Sequence, residues 1–289
     1  MLSYQHIFHA GNHADLLKHY VLFQVLKSLC KKEKPFTFYD THSGSGLYDL
    51  LDSRSLKTGE AEKGIILLMQ KMETLSAENK SERFSEYLTF LKSYTAKNLY
   101  PGSPEIEKSL MRNQDFLILS ELHPQEMENL KKNIIQKADD PKIQIHKRSG
   151  WEMLNALTPP ATKRGAVLID PSYEETADYI DAEKTICEVH RKWSNGIIML
   201  WYPLLAHRES EIKVMIDNIC SSAKKINANI EISDFNLCVY SKEEKNLPRL
   251  YGSGMLVLNS PWKLKEETEA AIQIFKNAVS LQLQMEDKA

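Results

Sequence analysis

The sequence has few cysteines and no segment typical of an exported or membrane-spanning protein. Its four cysteines, at positions 30, 187, 220 and 238, lie far apart and form no Cys-x-x-Cys pair. The N-terminus lacks a signal-peptide pattern, and the longest apolar runs are strand-length, well short of the ~20 residues that cross a bilayer. We therefore expect reduced thiols, a cytoplasmic location and no membrane partner.

An excess of basic charge is also missing. The net charge is −2 at pH 7 and the isoelectric point is about 6.5. Basic residues cluster only locally, as at 146–148 and 163–164, so charge alone disfavours a nucleic-acid partner. The remaining composition is that of a globular protein, with 42% hydrophobic and 26% charged residues. A chain of 289 residues is long enough for one large domain with an insertion, or for two small domains.

Short apolar runs alternate with helical patterns along the chain. This alternation predicts an α/β fold in which helices cover both faces of a parallel sheet. The candidate parallel strands are residues 36–40, 116–119, 143–145, 166–169 and 197–201. Two later runs, within 230–240 and at 255–258, are predicted to form an antiparallel pair at the sheet edge.

More than 70 residues separate the first two strands, too many for one crossover helix. Apolar residues recur there at helical spacing, around positions 65–72 and again around 84–91. We predict that residues 48–97 form a small inserted helical subdomain, and that 1–47 and 98–289 form the main domain. One helix is predicted to begin at about Asp15, with Asp15 as its favourable first-turn acid, and a last helix to cover 263–285.

Two motifs follow the first two strands. Gly44 and Gly46, after Asp40-Thr41-His42, permit a tight turn and a close approach of a ligand to the backbone. On its own this turn is equally compatible with the absence of a ligand. Glu121 follows the next strand, where a carboxylate is suited to accept hydrogen bonds from the two hydroxyls of a ribose.

The tetrad Asp170-Pro171-Ser172-Tyr173 ends the fourth strand. A planar amine is a poor nucleophile, because its lone pair is delocalised. A carboxylate and a backbone carbonyl that accept its two N–H groups favour the pyramidal geometry needed for attack. Asp170 and the Pro171 carbonyl can supply these acceptors, and Tyr173 offers a face for stacking a base. Asp-Pro alone is a common turn, but its position after the glycine turn and Glu121 favours a site.

The N-terminal segment is rich in histidine, with His6, His9, His13 and His19. Such spacing could suggest a metal site, but no cysteine lies nearby and Asp15 has an explanation in the helix start. We expect no metal there. The segment is instead predicted to form a cleft wall that touches cofactor and substrate.

These residues carry a resemblance to a known family. The N-terminal block resembles the opening of the bacterial RlmJ family of 23S ribosomal RNA adenine-N6 methyltransferases, and the likeness covers nearly the whole chain. The residues of the block that carry it are Leu2, Ser3, Tyr4, His6, Phe8, His9, Ala10, Gly11, Asn12, His13, Ala14, Asp15, Leu17, Lys18 and His19. The further similar motifs are Asp40-Thr41-His42 with Gly44 and Gly46, Tyr100-Pro101-Gly102-Ser103-Pro104, Glu121-Leu122-His123-Pro124, Trp201-Tyr202-Pro203, Gly252-Ser253-Gly254-Met255 and Pro261-Trp262-Lys263-Leu264.

The resemblance implies a Rossmann-like S-adenosylmethionine-dependent methyltransferase fold, with a mostly parallel seven-stranded sheet, an antiparallel edge and an inserted helical subdomain. It also implies S-adenosylhomocysteine as product, no metal, 23S ribosomal RNA as partner, and a monomer. The implied cofactor-binding residues are Lys18, His19, His42, Gly44, Ser103, Glu121, Ser149, Gly150 and Asp170. The implied catalytic residues are Asp170, Pro171 and Tyr173, and those implied to meet the RNA are Tyr4 and His6.

The sequence departs from the family pattern at two positions. Ser172 replaces a proline of the tetrad, and Ser149 replaces an aspartate that would accept a hydrogen bond from the cofactor's adenine amine. We expect weaker cofactor binding but the same chemistry. The residues alone leave open an adenine in DNA or a glutamine side chain as the methylated amine. They also leave open a non-catalytic RNA-binding assembly factor and, more weakly, a role in DNA uptake.

Overall fold

A computed structural model describes residues 4–74, 81–240 and 250–279 of the chain. Its strands are β1 (Thr37–Asp40), β2 (Leu47–Asp49), β3 (Leu99–Pro101), β4 (Phe116–Ser120), β5 (Lys142–His146), β6 (Gly165–Ile169), β7 (Ile197–Leu205), β8 (Ile232–Cys238) and β9 (Leu250–Leu258). Its α-helices are α1 (His13–Cys30), α2 (Ser53–Thr58), α3 (Leu67–Thr74), α4 (Glu82–Thr95), α5 (Ser103–Leu110), α6 (Pro124–Asn133), α7 (Gly150–Leu157), α8 (Ala177–Lys192), α9 (Glu209–Ile226) and α10 (Leu264–Val279).

Seven strands form one sheet in the order β5-β4-β1-β6-β7-β9-β8. The first five strands in this order are parallel, whereas β9 pairs antiparallel with both β7 and β8. The predicted mostly parallel sheet with an antiparallel edge is therefore confirmed. The chain leaves β1 toward β4 on one side and later returns to β6 on the other. The carboxyl ends of β1 and β6 thus flank a topological switch point, where open α/β sheets bind ligands.

Side chains alternate between two cores along the strands, because successive residues of a strand point to opposite faces. In β4, Leu117 and Leu119 enter one core while Ile118 enters the other. The first core also contains residues of α1, α4, α5 and α10, and the second contains residues of α7, α8 and α9. The sheet is thus the middle layer between two layers of helices, as the alternating sequence pattern predicts.

Helix α1 lies at the centre of the first layer and is buried along most of its length. It begins at His13, two residues before the predicted start, because the Asn12 side chain accepts hydrogen bonds from the backbone N–H groups of Ala14 and Asp15. Asp15 lies in the first turn of α1, as predicted. The cap is Asn12, and the carboxylate of Asp15 is buried and bonded elsewhere.

The segment between β1 and β4 is helical, as predicted, and the apolar stripes of its helices are buried. Ile65, Leu68, Phe84 and Leu91 belong to the same core as α1. The short antiparallel pair β2–β3, which the sequence does not predict, joins the two ends of this segment. A π-helix over Glu62–Ile66 precedes α3. The division into a main domain and an inserted subdomain at 48–97 stays a prediction.

Helix α10 confirms the last predicted helix over its described part, and positions 280–285 of that prediction lie outside the described residues. In the described ranges, none of the helices combines the length and the apolar character needed to cross a bilayer.

Candidate active site

The carboxyl ends of the parallel strands open into a cavity of about 510 Å³, which is within the usual range for small-molecule sites. The N-terminal arm, residues 4–12, contributes one wall of the cavity. All the site residues predicted from the sequence line it: Tyr4, His6, Lys18, His19, His42, Gly44, Ser103, Glu121, Ser149, Gly150, Asp170, Pro171 and Tyr173. Positions up to 169 residues apart in the sequence are thus brought to one place.

The glycine turn after β1 is joined to Glu121 after β4. The Gly44 N–H donates to Glu121 Oε2 at 2.8 Å, and the N–H groups of Leu122 and His123 donate to Oε1, each at 2.7 Å. Gly44 has φ +56, and a Cβ there would lie 2.3 Å from the Tyr48 hydroxyl, so no larger residue fits. Burial raises the pKa of Glu121 although these donors act against the rise. The carboxylate is therefore fixed in orientation at the cavity wall.

Helix α7 begins against β1 with very little space between them. A Cβ on Gly150 would lie 2.4 Å from the Thr41 backbone oxygen, so only glycine permits this approach. Ser149 is the N-cap of α7, yet its side chain makes no capping hydrogen bond. The hydroxyl of Ser149 and the first N–H groups of α7 are thus available at the cavity.

Two buried histidines of the cavity are neutral. His42 Nδ1 lies 2.7 Å from the Thr41 hydroxyl, and its ring meets Trp151 edge-on at 5.0 Å. His19 Nδ1 lies 2.8 Å from the Tyr100 hydroxyl. Burial lowers the pKa of His42 to about 4 and that of His19 to about 3, so both rings offer an uncharged nitrogen at physiological pH.

Asp170 lies at the end of β6 and is held by a buried lysine. Lys18 Nζ donates to Asp170 Oδ2 at 2.6 Å and also pairs with Asp15 Oδ1 at 2.8 Å. Burial alone would lower the pKa of Lys18, but the two carboxylates outweigh this effect and raise it. Lys18 is therefore charged. Within the described part of the chain, no donor reaches Asp170 Oδ1, the oxygen that remains for a ligand.

Tyr173 faces the cavity less than predicted. Its side chain is only 7% exposed, because it packs against Tyr179 and Trp201 and its hydroxyl donates to the Trp201 backbone oxygen at 2.9 Å. Its φ of +53 is unusual for a tyrosine, so the contacts of the ring hold a strained turn in place. Tyr173 thus fixes the end of the Asp170-Pro171-Ser172 turn and offers a base only part of one face.

The N-terminal arm packs against Tyr48 through His6. Tyr4 stacks on His9 with ring centroids 5.6 Å apart, and its hydroxyl lies 2.8 Å from His6 Nδ1. His6 packs edge-on against Tyr48 at 5.2 Å. In the described ranges, no group of three or more histidine, cysteine or acidic side chains could hold a metal.

Three residues of the site were not identified as such from the sequence. The sequence predicts Asp15 only as a first-turn acid, places Tyr48 in the insertion and gives Tyr100 only as part of a motif. Their partners in the site are distant in sequence, with Tyr48 packing against His6 and Tyr100 bonding His19. The one available signal for Asp15 was its place among the histidines of the N-terminal block.

Comparison with known proteins identifies the family of this chain. A family model described as ribosomal RNA large subunit methyltransferase D, RlmJ, matches residues 33–285 of the chain. The chain belongs to the RlmJ family. Two relatives named ribosomal RNA large subunit methyltransferase J are similar to this RlmJ-family chain. The one from Escherichia coli is 37% identical over 270 residues, and the one from Haemophilus influenzae is 36% identical over 271. Each alignment covers 92% of this chain and 90% of the relative.

The crystal structure of protein LPL1258 from Legionella pneumophila is also similar to this RlmJ-family chain. It has a TM-score of 0.78 and 30% identity, and the match covers 94% of each chain. The fold and the family expected from the sequence are therefore confirmed.

Proposed function

We propose that this chain transfers a methyl group from S-adenosylmethionine to the N6 amine of an adenine in 23S ribosomal RNA. The observation that carries the proposal is the environment of Asp170. One carboxylate oxygen is tied to Lys18, and the other is left at a cavity that also contains the glycine turn, Glu121 and the start of α7. Family membership and the names of the two relatives favour ribosomal RNA as the substrate.

The residues of the cavity fit the proposed cofactor. Gly150 lets the start of α7 pack directly against Thr41, and this contact places the first turn of α7 at the cavity wall. Glu121 would accept hydrogen bonds from the ribose hydroxyls, and Ser149 would meet the adenine amine. Ser103, the first residue of α5, lies with His19 at the other end, where a helix N-terminus favours a carboxylate. When bound, the cofactor supplies an electrophilic methyl group on a sulfonium.

The chain's own residues would prepare the adenine amine for attack. Asp170 Oδ1 and the Pro171 carbonyl would each accept one N–H of the amine, which frees its lone pair from the ring. The positive charge that N6 would gain with the methyl group would lie beside the Asp170 carboxylate. The proton that N6 then loses would pass to Asp170. Positioning of the two reactants would supply much of the acceleration.

Ser172, which stands where the family pattern has proline, is exposed at this turn. The Pro171 carbonyl is unaffected by that substitution, and the conformation of the turn is held by the hydrogen bond from Tyr173 to Trp201. We therefore expect the chemistry to be retained.

Methyl transfer from radiolabelled cofactor to purified 23S ribosomal RNA, DNA and protein tests the proposal, with digestion to identify the modified nucleoside. We expect label in N6-methyladenosine of the RNA alone. Label only in DNA or protein would contradict the assigned substrate, and failure to bind the cofactor in calorimetry would indicate an assembly factor. Mapping N6-methyladenosine in ribosomal RNA from cells with and without the gene would identify the nucleotide.

The same assay tests the role of Asp170. Asp170→Ala removes the acceptor for the amine, so we expect transfer to fall by about 10²-fold or more while the protein stays folded. Asp181→Ala, at an exposed carboxylate of α8 that does not line the cavity, is the control. An Asp170→Ala protein with full activity would overturn the assignment.

A further inference from the structure

Asp15 is a buried carboxylate with four hydrogen-bonding or charged neighbours from three parts of the site. It is 1% exposed. Its Oδ1 pairs with Lys18 at 2.8 Å and lies 3.9 Å from His19 Nε2. Its Oδ2 accepts from the Gly11 N–H at 2.8 Å and from His6 Nε2 at 2.9 Å. Burial alone would raise the pKa of Asp15, but His6 and Lys18 outweigh this effect and hold it well below its usual range. The helix start does not require these bonds, since Asn12 caps α1.

The bonds of Asp15 join the catalytic carboxylate to the N-terminal arm in one continuous chain. From Asp170 the chain passes to Lys18, then to Asp15, His6 and Tyr4, with successive polar atoms 2.6, 2.8, 2.9 and 2.8 Å apart. Exposure is lowest in the middle of this chain, at 1% for Asp15, and reaches 36% at Tyr4. Tyr4 at one end is the residue proposed to meet the RNA, and Asp170 at the other is the residue proposed to hold the amine.

Asp15 also determines which nitrogen of His6 carries a proton. An ionised carboxylate can only accept hydrogen bonds, so His6 must donate to it through Nε2. In a neutral ring Nδ1 then accepts a hydrogen bond from the Tyr4 hydroxyl. Removing the charge of Asp15 would release both His6 and Lys18 at once.

We infer that Asp15 is a positioning residue that orients Lys18 on Asp170 and His6 on Tyr4, and so couples the placement of the RNA to the placement of the catalytic carboxylate. The inference rests on the proposed function. Asp15 does not touch the reacting atoms. It keeps Lys18 on Asp170 Oδ2, which leaves Oδ1 turned toward the substrate.

The first test removes the charge of Asp15 and keeps the size of its side chain. Asp15→Asn should lower kcat for methyl transfer by about tenfold or more, because Asp170 is no longer held in one orientation. The dissociation constant for S-adenosylmethionine should stay within about threefold, since Asp15 makes no proposed cofactor contact. The matched control is Asp115→Asn. Asp115 is equally buried, and it is bonded to a backbone N–H and to Arg112. It precedes β4, however, and so lies at the end of the strands opposite to the cavity.

Coupling is tested by combining Asp15→Asn with Tyr4→Phe, which removes only the hydroxyl at the exposed end. Tyr4→Phe should lower kcat in the wild type and have little further effect in the Asp15→Asn background. A kcat for Asp15→Asn within twofold of wild type would overturn the inference. So would additive losses, or a loss of kcat matched by the Asp115→Asn control.

The last measurement needs neither a variant nor activity. Nitrogen-15 NMR of the histidine rings in the wild-type protein should show a proton on His6 Nε2, and an Nε2 without a proton would overturn the inference even if Asp15→Asn does not fold. Wild-type protein that fails to methylate any RNA would overturn the proposed function instead, which keeps the two failures distinct.

Discussion

Ser149 is the residue at which this chain departs from its family next to the proposed cofactor. It is the N-cap of α7, and its hydroxyl makes no capping bond. Ser149→Asp would restore a charged acceptor and place it at a helix N-terminus, where a negative charge is favourable. We expect S-adenosylmethionine to bind about fivefold more tightly, or ~1 kcal/mol, in calorimetry. Ser149→Ala is the control, and an unchanged dissociation constant for Ser149→Asp would contradict the assignment.

The next residue, Gly150, must be glycine because of close packing and not because of a hydrogen bond. The Cβ of Gly150→Ala would meet the Thr41 oxygen at 2.4 Å, so α7 must move away from β1. Overpacking of this kind costs about 1–3 kcal/mol. We expect a lower melting temperature together with cofactor binding weakened by about tenfold or more, because the cavity wall moves. Gly59→Ala is the control, since Gly59 has φ +63 but lies in the insertion. It should lose stability only, and equal cofactor affinity in both variants would contradict this explanation.

At the scale of elements, α5 and β1 meet through two buried acids. Asp40 and Glu107 are both 0% exposed, and among the described residues neither carboxyl oxygen of Glu107 has a hydrogen-bond donor. A proton shared between these two buried acids would supply one. Burial raises the pKa of Asp40 to about 6, and burial followed by repulsion from Asp40 raises that of Glu107 well above its ordinary range. The folded state therefore binds the shared proton more tightly than the unfolded chain does.

The direction of this linkage predicts how the stability of the folded state depends on pH. Stability from the pair is fully present below about pH 4 and is lost as the pH rises through 6, because the folded pKa values are raised. Glu107→Gln supplies a neutral donor to Asp40 without a proton to lose. We expect its melting temperature to exceed that of wild type by a few degrees at pH 8 and by little at pH 4.5, by calorimetry. Glu128→Gln, at an exposed acid on α6, should show no such pH dependence, and a parallel shift at both pH values would argue against a shared proton.

The elements differ in how far the sequence specifies them. The parallel strands and the apolar stripes of α3 and α4 were predictable, because buried runs and helical periodicity are local signals. Strands β2 and β3 were missed because each has three residues and they are held by pairing across about 50 positions. Glu121, the glycine turn and Asp170 were found because each directly follows a strand. Asp15 and Glu107 could not be recognised as buried acids, because no local feature of the sequence distinguishes a buried acid from one in a first helical turn or on the surface.

At the scale of the whole molecule, the N-terminal arm is tied to the helical segment between β1 and β4. His9 Nδ1 and Asn12 Nδ2 each lie 2.9 Å from a carboxylate oxygen of Glu60, and the Ile65 N–H donates to the Gly11 oxygen at 2.8 Å. The bond to Glu60 raises the pKa of His9, and the bond from His9, although opposed by burial, lowers the pKa of Glu60. The ion pair holds the arm fully between about pH 4.5 and 6.5, and its contribution is lost as the pH rises through the folded pKa of His9 or falls through that of Glu60.

These contacts predict a role in catalysis for the segment between β1 and β4, because the arm carries Tyr4 and His6 while its anchor lies some 50 residues away in the chain. Glu60→Gln removes the charge that holds His9 and should loosen the arm without disturbing Asp170. We expect faster hydrogen exchange at the amides of residues 8–12 and a kcat/KM for RNA lowered by about threefold to tenfold. The loss should be largest near pH 6, where the wild-type pair is intact, and should shrink toward pH 8.

Glu86→Gln is the matched control for this prediction. Glu86 lies on α4, in the same segment, and forms an exposed pair with Lys27 of α1 that does not touch the arm. Its substitution therefore removes the same charge as Glu60→Gln does. If Glu86→Gln lowers kcat/KM as much as Glu60→Gln does, the effect comes from the charge of the insertion acting on the RNA at long range. A loss confined to Glu60→Gln, with faster exchange in the arm alone, would show that the insertion acts by holding the arm over the cavity.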